Sequence, residues 1–258
     1  MTAIAAARRT ARRTTMISGL SLALGVCLWQ LMASGISDLI LPPPTDVLAR
    51  LMDPAFFARL SRALGQSLIP LALGFAISLG VAVPLGIAIG RSKSLSRMFE
   101  PVITAIYAIP PIAFVPFLVV WFGLFFPARV ALVVLMTVFD VLQVIIAGAR
   151  DVRPGLLDVG RSFGASPVAR TRLIVLPALS PFLFAGLRVG FARAVNGTIT
   201  AELFFAAVNL GAIMKRATEN FDTAGVLLVV LLVCLLGLLG QAIITLLETR
   251  LLHWHVRS

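Results

Sequence analysis

From Ala224 to Leu247 the chain runs for 24 residues without a charged side chain. At ~1.5 Å rise per residue an α-helix of that length reaches ~36 Å, against a bilayer hydrocarbon core of ~30 Å. Lipid offers no water to backbone N–H and C=O groups, so such a segment is confined to a helix that pairs them internally. The rest of the chain has the same character: 59% of its 258 residues are hydrophobic and 13% charged, with a mean hydropathy of +1.02. Soluble domains carry ~25% charged residues. The expected class is an all-α membrane protein.

Apolar windows predict six transmembrane helices, at about 16–34, 66–90, 102–122, 129–147, 179–207 and 224–247. An even count returns both termini to one side. With the termini cytoplasmic, 14 Lys and Arg residues fall on inner segments and 6 on outer ones, the asymmetry that sets orientation. The net charge of +11 therefore reads as topology and not as a nucleic-acid surface. Arg8, Arg9, Arg12 and Arg13 precede an apolar run, Met16 to about Ala33, that lacks a small-residue cleavage site. Residues 1–15 are expected as a basic cytoplasmic N-terminus and 16–258 as the transmembrane domain, its first span uncleaved. Cys27 and Cys234 lie within apolar segments and indicate no disulfide framework.

After span one, "LPPPTDVLARLMD" predicts a proline stop, then a short amphipathic helix capped by Thr45. Span three contains "YAIPPIAFVP", where Pro110, Pro111 and Pro116 each remove a backbone donor and obstruct the carbonyl one turn back, which predicts a kinked or broken helix. Such a break suits a transport pathway and suits ordinary bundle packing.

Ionisable groups at membrane depth are costly and so are candidates for function. Asp140 lies in span four; Arg188, Arg193 and Glu202 lie in or near span five. Arg193, Asn196, Gly197 and Thr200 follow i, i+3, i+4, i+7 spacing along one helix face, a stripe able to line a pore. The same residues also fit a structural ion pair between Arg193 and either Asp140 or Glu202. Neither lysine, Lys93 nor Lys215, belongs to a phosphate-binding loop, so this chain has no such cradle for ATP. His253 and His255, with Trp254 between them, fit an interfacial anchor better than a metal site. No nucleophile–base pairing argues for catalysis.

The stretch "LLDVGRSFGASPVARTRLIVLP", 156–177, is the polar exception. Pro154 suits a first helical turn, Gly164 a C-terminal cap, Ser166-Pro167 a new start, and Pro177 a further break. Two short helices joined at a glycine bend are predicted, with Leu156, Leu157 and Phe163 as apolar knobs among five arginines. Both a helix inserted in a groove of another protein and a basic helix lying on anionic lipid heads fit this composition.

These residues resemble the cytoplasmic loop of permease subunits of ATP-binding cassette importers: Asp158-Val159-Gly160, Gly164 and Ile174-Val175-Leu176-Pro177 follow its pattern. "LPPPTDVLARL", "GVAVPLGIAIGRSKSLSRMFEPV", "AIPPIAFVPFLVVWFGL", "SFGAS", "GLRVG" and "AELFFAAVNLGAIM" extend the resemblance over about residues 40 to 255, to the nitrate, sulfonate, taurine and bicarbonate branch. The resemblance implies a type I importer architecture of six transmembrane helices, with a coupling loop at about 150–178. It places Asp158, Gly160, Arg161, Ser162, Phe163, Gly164, Ala165 and Ser166 at the contact with a separate ATPase. Asp158 stands where the family has Glu, and Gly160 where Ala is usual. Glycine costs about 1 kcal/mol in a helix, so this helix is expected to firm up on docking.

The resemblance further implies a transport subunit and not an enzyme, set in the bacterial cytoplasmic (inner) membrane. Its partners would be membrane lipid, a second copy of the chain, two ATPase subunits that hold the ATP and Mg, and an extracytoplasmic solute-binding protein. The expected cargo is a small anion such as a sulfonate, taurine or nitrate, along a pathway that includes Asp140, Arg193, Asn196, Thr200 and Glu202. Family members usually carry apolar residues at the positions of Arg193 and Asn196. The alternatives are an ion-coupled carrier using Asp140 and Glu202, or an importer of a non-anionic solute such as a vitamin precursor.

Overall fold

A computed structural model describes residues 2–205 and 208–252, with side chains described from Met16 onward. The side chains of Arg8, Arg9, Arg12 and Arg13 lie outside the described residues, as do His253, Trp254 and His255. Among the described residues there are eleven α-helices and no strand. They are α1 (Thr2–Ala33), α2 (Pro44–Ala49), α3 (Pro54–Arg91), α4 (Lys93–Tyr107), α5 (Val115–Phe122), α6 (Phe126–Asp151), α7 (Pro154–Ser162), α8 (Pro167–Arg170), α9 (Leu176–Phe204), α10 (Asn209–Glu219) and α11 (Thr223–Leu251).

Five helical stretches are long and apolar enough to cross a membrane, and a sixth is added when α4 and α5 count as one broken span. The break is where the prolines put it. After Tyr107 the chain turns through 86°, passes a 3-10 turn at Pro111–Phe114 and resumes as α5. Pro110 and Pro111 carry no N–H to return to the carbonyls of the last α4 turn.

Two local expectations are corrected. Thr45 does not cap α2: the helix starts at Pro44 with no side-chain cap bond, and Thr45 sits inside the first turn donating to Asp46 Oδ1 at 3.3 Å. Proline's preset φ suits that first position, so the helix begins two residues earlier, with Pro43 at the N-cap. Nor is there a break at Pro177. Residues 171–175 form a π turn in which the Leu176 N–H reaches back to the Thr171 carbonyl, and the helix runs on into α9. The wider turn accommodates a first-turn proline that would otherwise clash with the carbonyl one turn earlier.

The chain divides into two compact units. The larger, Arg62–Ala212 with Leu232–Ser258, is organised around α6. Val141, Leu142, Ile145, Ile146 and Ala149 of α6 are buried with Ala82 and Ile89 of α3, Ile103 of α4 and Leu179 of α9. Close approach depends on missing side chains. A Cβ at Gly90 of α3 would lie 2.7 Å from the Ile146 carbonyl oxygen, and one at Gly190 of α9 would lie 2.6 Å from Val141 Cγ2. Helices in lipid associate through such small-residue contacts, because lipid is as apolar as their side chains. Beside Gly190, Phe75 meets Phe191 edge to face at 5.8 Å.

The smaller unit, Met1–Ser61 with Ile213–Leu231, is held by polar contacts. Trp29 Nε1 donates to the Pro42 carbonyl at 3.1 Å, Thr223 Oγ1 to the Leu39 carbonyl at 2.6 Å, and Arg50 pairs with Asp222 at 2.7 Å. Asp222 also caps α11 by accepting the Gly225 N–H at 3.0 Å.

Gly90→Ala and Gly80→Ala are expected to part company in thermal unfolding of the detergent-purified chain. The first adds a methyl against backbone and is expected to cost roughly 1–3 kcal/mol. The second meets nothing within 4 Å and is expected to be neutral or to stabilise by up to about 1 kcal/mol.

Candidate functional site

The polar stretch folds as predicted, into α7, a glycine bend and α8. Gly164 adopts φ +70°, the Gly164 N–H returns to the Arg161 carbonyl at 2.9 Å, and the Ala165 N–H returns to the Gly160 carbonyl at 2.9 Å. This is the Schellman closure that a C′ glycine permits. Ser166 caps α8 by accepting the Ala169 N–H at 3.2 Å.

α7 has two apolar sides. Leu157 is buried with Val152 and Val175 and packs against Ile87, which fixes the helix to the bundle. Leu156, Val159 and Phe163, at i, i+3 and i+7, are exposed on the adjoining side, Phe163 by 87%. Leu157 is thus an anchor and not one of the outward knobs, and Val159 takes its place. Asp158 and Arg161, both exposed, pair at 3.0 Å, and Ser162 bonds back to the Asp158 carbonyl. Gly160 is buried: a Cβ there would lie 2.6 Å from Ile174 Cδ1. The glycine lets α7 lie close against the π turn.

The transmembrane candidates separate into two groups. Arg193 Nε meets Asp140 Oδ1 at 3.2 Å, and Tyr107 donates its hydroxyl to the same oxygen at 3.3 Å. The three residues line a cavity of about 250 Å³ together with Ile109, Pro110 and Phe114 of the broken span. Asn196 is exposed on the same helix as Arg193, and Thr200 is half-buried with its hydroxyl returned to the Asn196 carbonyl. Gly197, though in the predicted stripe, packs against Val133 and Met136 of α6. The helix face turns from exposed at Asn196 to packed at Gly197.

Glu202 belongs elsewhere. It is fully buried, one carboxylate oxygen accepting Ser67 Oγ at 2.9 Å and the Gly211 N–H at 3.3 Å, the other accepting Asn209 Nδ2 at 2.9 Å. Among the described residues it forms no ion pair, with Arg193 or any other base. Its carboxylate satisfies a first-turn donor of α10, whose N-terminus favours negative charge. Gly211 is required there, since a Cβ would fall 2.5 Å from the Glu202 carbonyl carbon. Glu202 is therefore a buried joint between α9 and α10, outside the cavity that Asp140 and Arg193 line. Ser67, Tyr107 and Asn209 were not singled out from sequence; Tyr107, the chain's one tyrosine, stands three residues before a double proline.

Arg188 pairs with Glu248, and its carbonyl accepts Gln241 Nε2 at 2.8 Å, which ties α9 to α11. Among the described residues no cluster of side chains is suited to a metal ion.

Residues 82–253 match the family described as binding-protein-dependent transport system inner membrane component. The chain is 30% identical to the taurine transport system permease protein TauC of Escherichia coli over 95% of this chain and 91% of the relative. It is 29% identical to the formylaminopyrimidine transport permease protein ThiX of Halalkalibacterium halodurans, over 90% and 92%. It is 32% identical to the riboflavin transport system permease protein RibX of Chloroflexus aurantiacus, over 86% and 82%.

Glu202→Ala leaves the Gly211 N–H and the Asn209 amide without their acceptor, while the Ser67 hydroxyl keeps the Ala63 carbonyl at 3.0 Å; it is expected to cost roughly 2 kcal/mol or more, read as a lowered unfolding midpoint in detergent. Glu202→Gln, which keeps one acceptor oxygen, is expected to cost less. Equal midpoints for the wild type and Glu202→Ala contradict the joint.

Proposed function

The chain belongs to the family of binding-protein-dependent transport system inner membrane components, and from that membership we propose how its parts divide the work. It is the membrane-spanning permease subunit of an ATP-binding cassette importer. In this reading two copies form the pathway and the termini are cytoplasmic. Two ATPase subunits, which carry the ATP and Mg, dock on the 150–178 loop, and an extracytoplasmic binding protein delivers a small organic anion. The sulfonate carried by the taurine relative's solute supports that class.

The observation that carries the coupling role is the two-sidedness of α7. Leu156, Val159 and Phe163 face outward as a continuous apolar stripe, while Leu157 locks the same helix to Val175 and Ile87. An exposed stripe at helical spacing suits a groove on a partner. The lock means that a push on α7 cannot be absorbed locally. It passes through the π turn into α9, and from Leu176 to Arg193 that helix extends about 26 Å at ~1.5 Å per residue. Nucleotide-driven closure of the ATPase pair would draw the two α7 helices together and open the pathway outward; hydrolysis would reset it.

In proteoliposomes holding the permease, its ATPase and its binding protein, Val159→Ala/Phe163→Ala is expected to lower solute-stimulated ATP hydrolysis about tenfold or more while leaving the permease's unfolding midpoint unchanged. Leu157→Ala is expected to lower the midpoint itself. Gly164→Asp, forced into a left-handed backbone, is expected to uncouple hydrolysis from uptake. Full stimulation in both stripe and bend variants would assign the loop to the lipid surface instead.

A further inference from the structure

The Asp140–Arg193 pair is an unusual thing to find half open in a transmembrane bundle. Asp140 is largely enclosed, its side chain 13% exposed, whereas that of Arg193 is 46% exposed. A structural ion pair at membrane depth is expected to use the guanidinium fully, since every unpaired donor there is costly. Here contact is made side-on through Nε alone. Among the described residues neither terminal guanidinium nitrogen has a hydrogen-bond partner, and the second carboxylate oxygen has none. The two terminal nitrogens form the fork that binds planar or tetrahedral oxyanions with two parallel bonds.

The pair also constrains what it can select. A lone guanidinium attracts any anion, but one with a carboxylate 3.2 Å away is neutral as a unit, and a lone anion meets attraction and repulsion together. A lone cation fares no better. A solute carrying both charges satisfies both halves at once: its oxyanion takes the free fork and its cation takes the free carboxylate oxygen. The broken span adds one acceptor for the cation: Pro111 has no N–H to return to the Tyr107 carbonyl, whereas the Ile106 carbonyl is taken by the Ile109 N–H at 3.0 Å. The cavity of about 250 Å³ lies just below the ~300–1,000 Å³ typical of ligand sites, a size that suits a solute of few heavy atoms.

We propose that Asp140, Arg193 and Tyr107 form a substrate site for a small zwitterion, an oxyanion such as a sulfonate bound by Arg193 and an ammonium group by Asp140. Tyr107 is a positioning residue: its hydroxyl holds the Asp140 oxygen that Arg193 also contacts and leaves the other free. This rests on the importer reading and narrows its substrate from an anion to a molecule of both charges.

The test is equilibrium binding to the permease–ATPase complex in nanodiscs without the binding protein, whose own selectivity would mask the site. Three probes on the same two-carbon backbone suffice: taurine with both charges, isethionate with only the sulfonate, and ethanolamine with only the amine. Taurine is expected to bind at least about tenfold tighter than either single-charge probe. Asp140→Asn is expected to abolish the preference over isethionate, and Arg193→Gln the preference over ethanolamine. Because each single variant leaves a charge unpaired, Asp140→Asn/Arg193→Gln serves as a neutral pair that assembles and loses the tenfold preference altogether. Equal affinity for taurine and isethionate in the wild type, a preference that survives the neutral pair, or no binding of any probe by an assembled complex each overturns the proposal. Failure of the importer reading looks different: the permease would not assemble with the ATPase, or assembled liposomes would show no ATP-driven uptake.

Discussion

The larger unit of this protein depends on how closely α3 and α9 approach α6. Without a hydrophobic drive between helices in lipid, contact area and polar bonds must hold them, and contact area grows as backbones draw near. Gly90 and Gly190 provide that nearness from the two sides of α6. Once α9 is seated, its rotation is set. Gly197 faces α6, Arg193 faces the cavity, and Glu202 reaches the start of α10. Each polar role along α9 follows from the packing of glycines a few residues away.

The same economy governs α7. A nine-residue helix is too short to be stable alone in water. It persists because a proline starts it, a Schellman turn ends it, and Leu157 and Gly160 press one side onto the bundle. The adjoining side is exposed and presents Leu156, Val159 and Phe163.

Polar groups in the bundle are sorted by whether their bonding is complete. Glu202 is enclosed with three donors, and Arg188 is joined to Glu248 with its carbonyl taken by Gln241; both serve the frame. Asp140 and Arg193 keep unused hydrogen-bonding capacity beside a cavity at a broken helix. Completed networks rigidify, and incomplete ones at membrane depth invite a ligand.

Much of this was written in the sequence. Apolar runs long enough to span, the proline break after Tyr107, and the cap residues Gly164 and Ser166 are local properties, and local backbone sterics and solvation determine them wherever the chain goes. Even the choice of partner for Arg193 was narrowed to two carboxylates. Which one it takes, and the burial of Leu157 in place of Val159's exposed side, were decided by tertiary structure. So was the helix that continues through Pro177. Helical periodicity specifies which residues share a face, but not which neighbour that face meets. That depends on helix rotation and approach, settled only when distant glycines, aromatics and carboxylates come into contact.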